Sequence, residues 1–200
     1  MTTMLDLGPP AQQLTTLLEG LTDDQLAART PCERSTVGDL LDHLMGLTLA
    51  FTFAAQKAGD PAQSSSPPGW SVRNLAPDWR TRLPRQLEDL VAAWREPDAW
   101  EGMTEAGGVT LPAEVMGSVA MDELVLHSWD LARGTGQPFE PDPASTAVVL
   151  GFTSAMSEPG QDVAREGLFG PVVDVPVDEP DFQRALGLSG RDPYWESPQR

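Results

Sequence analysis

The chain has 200 residues, 40% of them apolar and 22% charged, which is ample for a substantial core. Asp and Glu number 30 against 13 Lys and Arg, a formal net charge of −17, and a field of that sign repels polyanions, so nucleic acid and anionic membrane surfaces are excluded as partners. The single cysteine, Cys32, excludes an internal disulfide and a cysteine-rich metal site, while the absence of a basic N-terminal stretch or of an apolar run near the ~20 residues of a membrane span makes the expected location cytoplasmic.

Pro9 and Pro10 open the first predicted helix, whose stripe is Leu14, Leu17, Leu18 and Leu21, with Gly20 as a stop. Thr22 to Leu26 reads as one capped turn, with acids where the helix dipole favours them. After the turn-like link TPCERST, Thr36 and Asp39 form a relative of the capping box and start the second helix. Its stripe is Val37, Leu40, Leu41, Leu44, Leu47, Thr48 and Phe51, and His43 stands at the edge. Gly59 to Gly69, rich in serine and proline, reads as a long surface loop. A third helix is expected over Trp79–Arg95, with Pro84 either near its start or at a kink. Trp100 to Leu111 reads as a short β-hairpin turning at Glu105–Gly108, and Pro112 falls in the first turn of the next helix.

That next helix, Val115 to Gly136, is the strongest in the chain. Glu123, His127 and Asp130 are spaced i, i+4 and i+7, so they project from one face of a helix that is apolar on its other sides, with Trp129 in the core. Burying a carboxylate and an imidazole without partners costs several kcal/mol. A divalent cation is one partner that removes the cost, with Glu123 and His127 as two ligands and His43 as a third. Hydrogen-bonded core histidines are the other reading, and spacing alone leaves both open. With Zn²⁺, three protein ligands would leave a fourth position for water or substrate, the catalytic pattern rather than the structural one.

Asp142-Pro143 caps a fifth helix running to Met156. Beyond Pro159 the chain turns extended and proline-rich, DFQRALGL permits a short helix ended by Gly187, and GRDPYW reads as a tail packed by aromatics. No glycine-rich phosphate loop stands in a strand-turn-helix context. The expected architecture is all-α, a single domain over 1–200: a four-helix up-and-down bundle over about 9–157, with the short β-hairpin and an irregular C-terminal extension over about 158–200.

Thr30-Pro-Cys followed by V-x-D-L-L-x-H up to His43, then DELVLHSWDLARGTGQP from Asp122 to Pro138, then LGLSGRDPYW from Leu186 to Trp195, resemble the DinB-type metal-binding family typified by mycothiol-dependent maleylpyruvate isomerase. The resemblance extends over nearly the whole chain. It implies a divalent metal held by His43, Glu123 and His127, with Zn²⁺ first and Ni²⁺, Fe²⁺ or Mn²⁺ as alternatives, and mycothiol as a thiol co-substrate for an electrophilic substrate. Asp130 matches an acid that the family places beside the site, as an orienting or proton-handling catalytic residue. Arg191 in GRDP is a candidate for binding an anionic group of substrate or cofactor, or a partner for Asp192. The chain departs from the pattern at Ser35, where family members commonly carry tryptophan, and its C-terminal region is smaller than that of the isomerase proper.

The leading expectation is therefore a thiol-dependent transferase or isomerase in which the metal activates the thiol. The alternative is a non-catalytic metal-binding or small-molecule-sensing bundle, and the third reading is a wholly structural pair of histidines. A homodimer is left open. Cys32, with Arg34 as its only neighbouring cation in sequence, is read as a small hydrophobe before a reactive thiol.

Overall fold

In a computed structural model, residues 4–32, 35–58, 69–165 and 167–197 are described. Arg34 and all but Gly69 of the expected loop from Gly59 to Gly69 lie outside them. Helix α1 (Gly8–Glu19) starts on Pro9 and Pro10, whose missing N–H groups cost nothing there, and buries Leu14, Leu17 and Leu18. A 3-10 turn (Asp23–Ala27) follows.

Helix α2 (Val37–Ala55) opens with a complete capping box: the Thr36 N–H donates to Asp39 Oδ2 at 2.9 Å and the Asp39 N–H to Thr36 Oγ1 at 3.3 Å. By length and hydropathy α2 is apolar enough to span a membrane, 19 residues with a mean hydropathy of 1.2, which corrects the expectation that no run approaches that limit. The polar residues Asp39, Asp42 and His43 interrupt the apolar run in the sequence. Here Leu40, Leu41 and Leu44 are fully buried against other helices, so its apolarity is that of a core element.

Helix α3 (Trp79–Trp94) carries Pro84 inside it without a break, at the loss of one backbone bond near the N-terminal end. Strands β1 (Met103–Ala106) and β2 (Val109–Pro112) pair antiparallel, Ala106 opposite Val109. The two residues between them, Gly107 and Gly108, have φ of 58° and 81°, the backbone of a tight hairpin turn that side chains with a Cβ resist. Thr104 Oγ1 donates to the Ala54 carbonyl and so fastens the hairpin to α2.

Helix α4 (Ala113–Thr135) is 23 residues long and buried almost all round, and Gly136 ends it in the left-handed conformation with φ 71°. Pro112 closes β2 and stands at the N-cap position of α4, just before the first turn in which it was expected. Helix α5 (Pro143–Met156) has the expected bounds, with Asp142 Oδ1 accepting from Ala144 N–H and Ser145 N–H. A single turn, α6 (Asp162–Arg165), and a short helix, α7 (Asp181–Leu188), complete the elements. Gly187 does not stop α7: it lies inside the helix, where a Cβ would come within 2.4 Å of Val175 Cγ2, and the left-handed turn falls at Gly190.

Helices α1 and α2 each pack on both α3 and α4, so α1 and α2 face one another across the bundle and consecutive helices are not all neighbours. Helix α5 covers another side of α4 and α7 packs on α5. One apolar cluster extends from Leu7 to Leu186. The helical class, the hairpin and the irregular C-terminal segment agree with the expectation.

Candidate metal centre

His43 projects from the second turn of α2 toward α4, where Glu123 and His127 stand one turn apart on the same face. Their ligand atoms all lie within 4.8 Å of one another. Glu123 Oε2 is 2.9 Å from His127 Nε2 and 3.9 Å from His43 Nε2. His127 is 5% exposed, whereas His43 and Glu123 are 17% and 19% exposed, so the group is open on the His43 side.

On the closed side His127 Nδ1 meets Asp130 Oδ2 at 2.9 Å. Asp130 is fully buried and gripped by Arg191 in a forked pair, Nε to Oδ1 at 2.9 Å and Nη2 to Oδ2 at 2.8 Å. Arg191 arrives from beyond α7, where the left-handed turn at Gly190 swings the chain inward and Arg191 N–H donates to the Leu186 carbonyl. Ser189 Oγ takes a further guanidinium N–H at 3.2 Å. Arg191 thus pairs with Asp130, an acid 61 positions away, and not with its neighbour Asp192.

Both nitrogens of His127 face carboxylate oxygens, yet a neutral imidazole has one N–H to donate. Glu123 and Asp130 bring two negative charges and Arg191 one positive charge, which leaves one negative charge uncompensated in a largely buried place. Burial opposes a charge on His127, but the bonds to Asp130 and Glu123 prevail and lift its pKa to about 9. Burial would likewise raise the Glu123 and Asp130 carboxyls. The two imidazoles beside Glu123 and the Arg191 guanidinium beside Asp130 override it and hold both below the usual range. His43 is pushed down, chiefly by burial. Asp122, buried on α4 with Oδ1 lacking a hydrogen bond among the described residues, is raised well above the usual range by burial and then by Glu123.

A positive charge at His127 Nε2 closes the balance, and either a proton or a metal ion supplies it. The donor set fits a metal ion. In the tautomer that donates Nδ1–H to Asp130, the Nε2 lone pair faces Glu123 and His43, the carboxylate–histidine arrangement typical of metal ligands.

Cys32 forms a second close group with His127 and Asp130. There the cation place is taken by Arg191, and the thiol is pushed up to about 11, by burial first and by Asp130 next, so Cys32 is a protonated thiol at neutral pH and a poor ligand or nucleophile. Trp70 was not anticipated. Its indole stacks on His43 with centroids 3.7 Å apart and 8° between planes, although it follows a loop with no periodic pattern that could have marked it. Ser189 and Asp42 also escaped notice, since neither belongs to a recognisable spacing. A cleft of about 830 Å³ lined by Thr52, Lys57, Gln86 and Glu96 opens beside the C-terminal half of α2 and touches none of these residues.

A family model described as the mycothiol maleylpyruvate isomerase N-terminal domain matches residues 7–132. Two uncharacterised proteins of Mycobacterium tuberculosis, from strains CDC 1551 / Oshkosh and ATCC 25618 / H37Rv, are each 26% identical over 154 residues, covering 72% of this chain and 72% of their own. Among solved structures, a mycothiol-dependent maleylpyruvate isomerase carrying a histidine-to-alanine mutation aligns with a TM-score of 0.57 at 18% identity. The unmutated isomerase aligns with a TM-score of 0.51 at 19% identity, and each match covers 76% of this chain and 72% of the other. At such identities the likeness is one of fold.

Proposed function

The chain belongs to the family of the mycothiol maleylpyruvate isomerase N-terminal domain, and from that premise we propose that it is a divalent-metal protein of thiol-dependent transfer or isomerisation, with mycothiol as the thiol. His43, Glu123 and His127 are the ligands in this reading. The observation that carries it is the donor set itself, two imidazole nitrogens and one carboxylate oxygen inside 4.8 Å, with no ordinary cation among the three. When bound, the ion supplies Lewis acidity that draws a thiol in as thiolate near neutral pH. Zn²⁺ is the first choice, with Ni²⁺, Fe²⁺ and Mn²⁺ compatible with the same donors.

The chain's own residues divide the remaining work. Asp130 accepts the His127 Nδ1–H and so presents Nε2 inward, while Arg191 keeps Asp130 ionised and fixed in place. A tetrahedral ion held by these three donors would have one position left for a ligand. His43 and Glu123 are partly exposed, and that side would give a small thiol and an electrophile a way in. On the other side His127 and Asp130 are buried, which keeps water out there.

The test is spectroscopic. Full-length protein loaded with Co²⁺ is titrated with mycothiol, and a thiolate-to-cobalt charge-transfer band is expected together with proton release, read by calorimetry in buffers of different ionisation enthalpy. The His127→Ala protein should give neither signal. An unchanged cobalt spectrum at millimolar thiol would overturn the thiol-dependent reading and leave a non-catalytic metal-binding or small-molecule-sensing bundle.

A further inference from the structure

The two imidazoles of the centre are held in different ways. His127 is fixed by a hydrogen bond, Nδ1 to Asp130, and Asp130 is fixed in turn by Arg191. His43 has no such support. Its Nε2 lies 3.9 Å from Glu123, beyond hydrogen-bond length, and among the described residues its Nδ1 has no hydrogen-bond partner. The torsion that turns a histidine ring has a broad, roughly two-fold preference, so an imidazole without a bond to its second nitrogen is free to swing or flip unless something flat lies against it. Trp70 is that flat neighbour, parallel to within 8° at 3.7 Å, and the His127 ring meets His43 edge-on at 5.0 Å.

We propose that Trp70 is the positioning residue of His43, holding its imidazole in register with Glu123 and His127 where a hydrogen bond does so for His127. The placement of Trp70 is itself built by the helix that carries His43. Asp42 Oδ2 accepts from the Ser71 N–H at 3.1 Å, and Asp39 Oδ1 accepts from the Val72 N–H at 2.7 Å. The Val72 side chain lies over Gly38, where an added Cβ would come within 2.4 Å of Val72 Cγ2, so no other residue at 38 lets the segment sit so close. Three residues of one helix turn thus hold the segment, and the segment holds the ring of the next residue along. Trp70 is 41% exposed, so it fills no core volume, and its removal separates ring orientation from folding.

The purpose of this device rests on the metal reading, but the orientation of His43 can be read without metal. With only two histidines in the chain, their ring protons are resolved and assignable by NMR. In the metal-free full-length protein, His43 ring protons should be shifted upfield by the indole and give a cross-peak to His127. Trp70→Ala should lose both, and its Zn²⁺ Kd, measured against a chromophoric chelator, should rise on the order of tenfold. Trp70→Phe, which keeps a flat ring, should restore the cross-peak and most of the affinity. A cross-peak and a Kd unchanged in Trp70→Ala would overturn the proposal, as would a fall in metal-free melting temperature large enough to account for the lost affinity. If the wild-type chain binds no Zn²⁺, Ni²⁺ or Co²⁺ while Trp70→Ala still abolishes the cross-peak, the metal reading fails and the positioning of His43 by Trp70 stands.

Discussion

His127 sits between two carboxylates, and at the scale of single residues that position governs the behaviour of the centre. If it is a ligand, His127→Ala and His43→Ala should each remove most of the bound metal and Glu123→Gln should weaken it, as measured by elemental analysis of purified protein. Full stoichiometry in His43→Ala would remove α2 from the site. Without metal, the proton on His127 takes over. Its folded pKa is raised from 6.5 to about 9, so the stability it contributes is fully present below about 6.5 and is lost as pH rises through about 9. Urea denaturation in the presence of a chelator should therefore give a midpoint that declines across that window. The metal-loaded protein should not decline there, because the ion replaces the proton. A flat profile for the chelated protein would show that His127 is neutral between its two acids.

Among the elements, α4 and α5 test how tightly the bundle is specified. Gly117 on α4 faces a tryptophan pair: a Cβ there would stand 2.4 Å from Trp100 Cζ3 and 3.0 Å from Trp94 Cζ3. Gly117→Ala, which favours a helix in isolation, should instead cost about 1–3 kcal/mol by forcing rigid rings apart, read as a lower denaturation midpoint at constant m-value. Asp142→Ala should cost about 1 kcal/mol through the lost cap of α5. The bounds of α5 were legible from Asp142-Pro143, and α2 and α4 from stripes of period 3.6, because caps and stripes are local. What failed was not local. Gly187 looks like a stop until Val175, which needs its empty side, is brought against it. Trp70 follows an aperiodic loop, and nothing within a window of neighbours says that its indole will reach His43. Glu123 and His127 were readable as a pair, whereas the charge they leave unbalanced becomes visible only when Asp130 and Arg191 meet.

For the molecule as a whole, a formal net charge of −17 in 200 residues means that the folded state works against its own field. Adding sodium chloride from low ionic strength to about 0.15 M shortens the Debye length to about 8 Å and should raise the melting temperature of the chelated protein. A melting temperature that falls over that range would mean that the surface ion pairs, such as Arg80 with Asp23, outweigh the repulsion. The family match ends at residue 132, while the cation that neutralises Asp130 comes from residue 191. A buried carboxylate without its partner costs several kcal/mol. Biosynthesis therefore meets the two halves of the pair at different times. A nascent chain that already holds α1 to α4 has every candidate ligand but lacks the guanidinium that pairs with Asp130, so a chain ended before Arg191 should unfold at a lower urea concentration than the full chain.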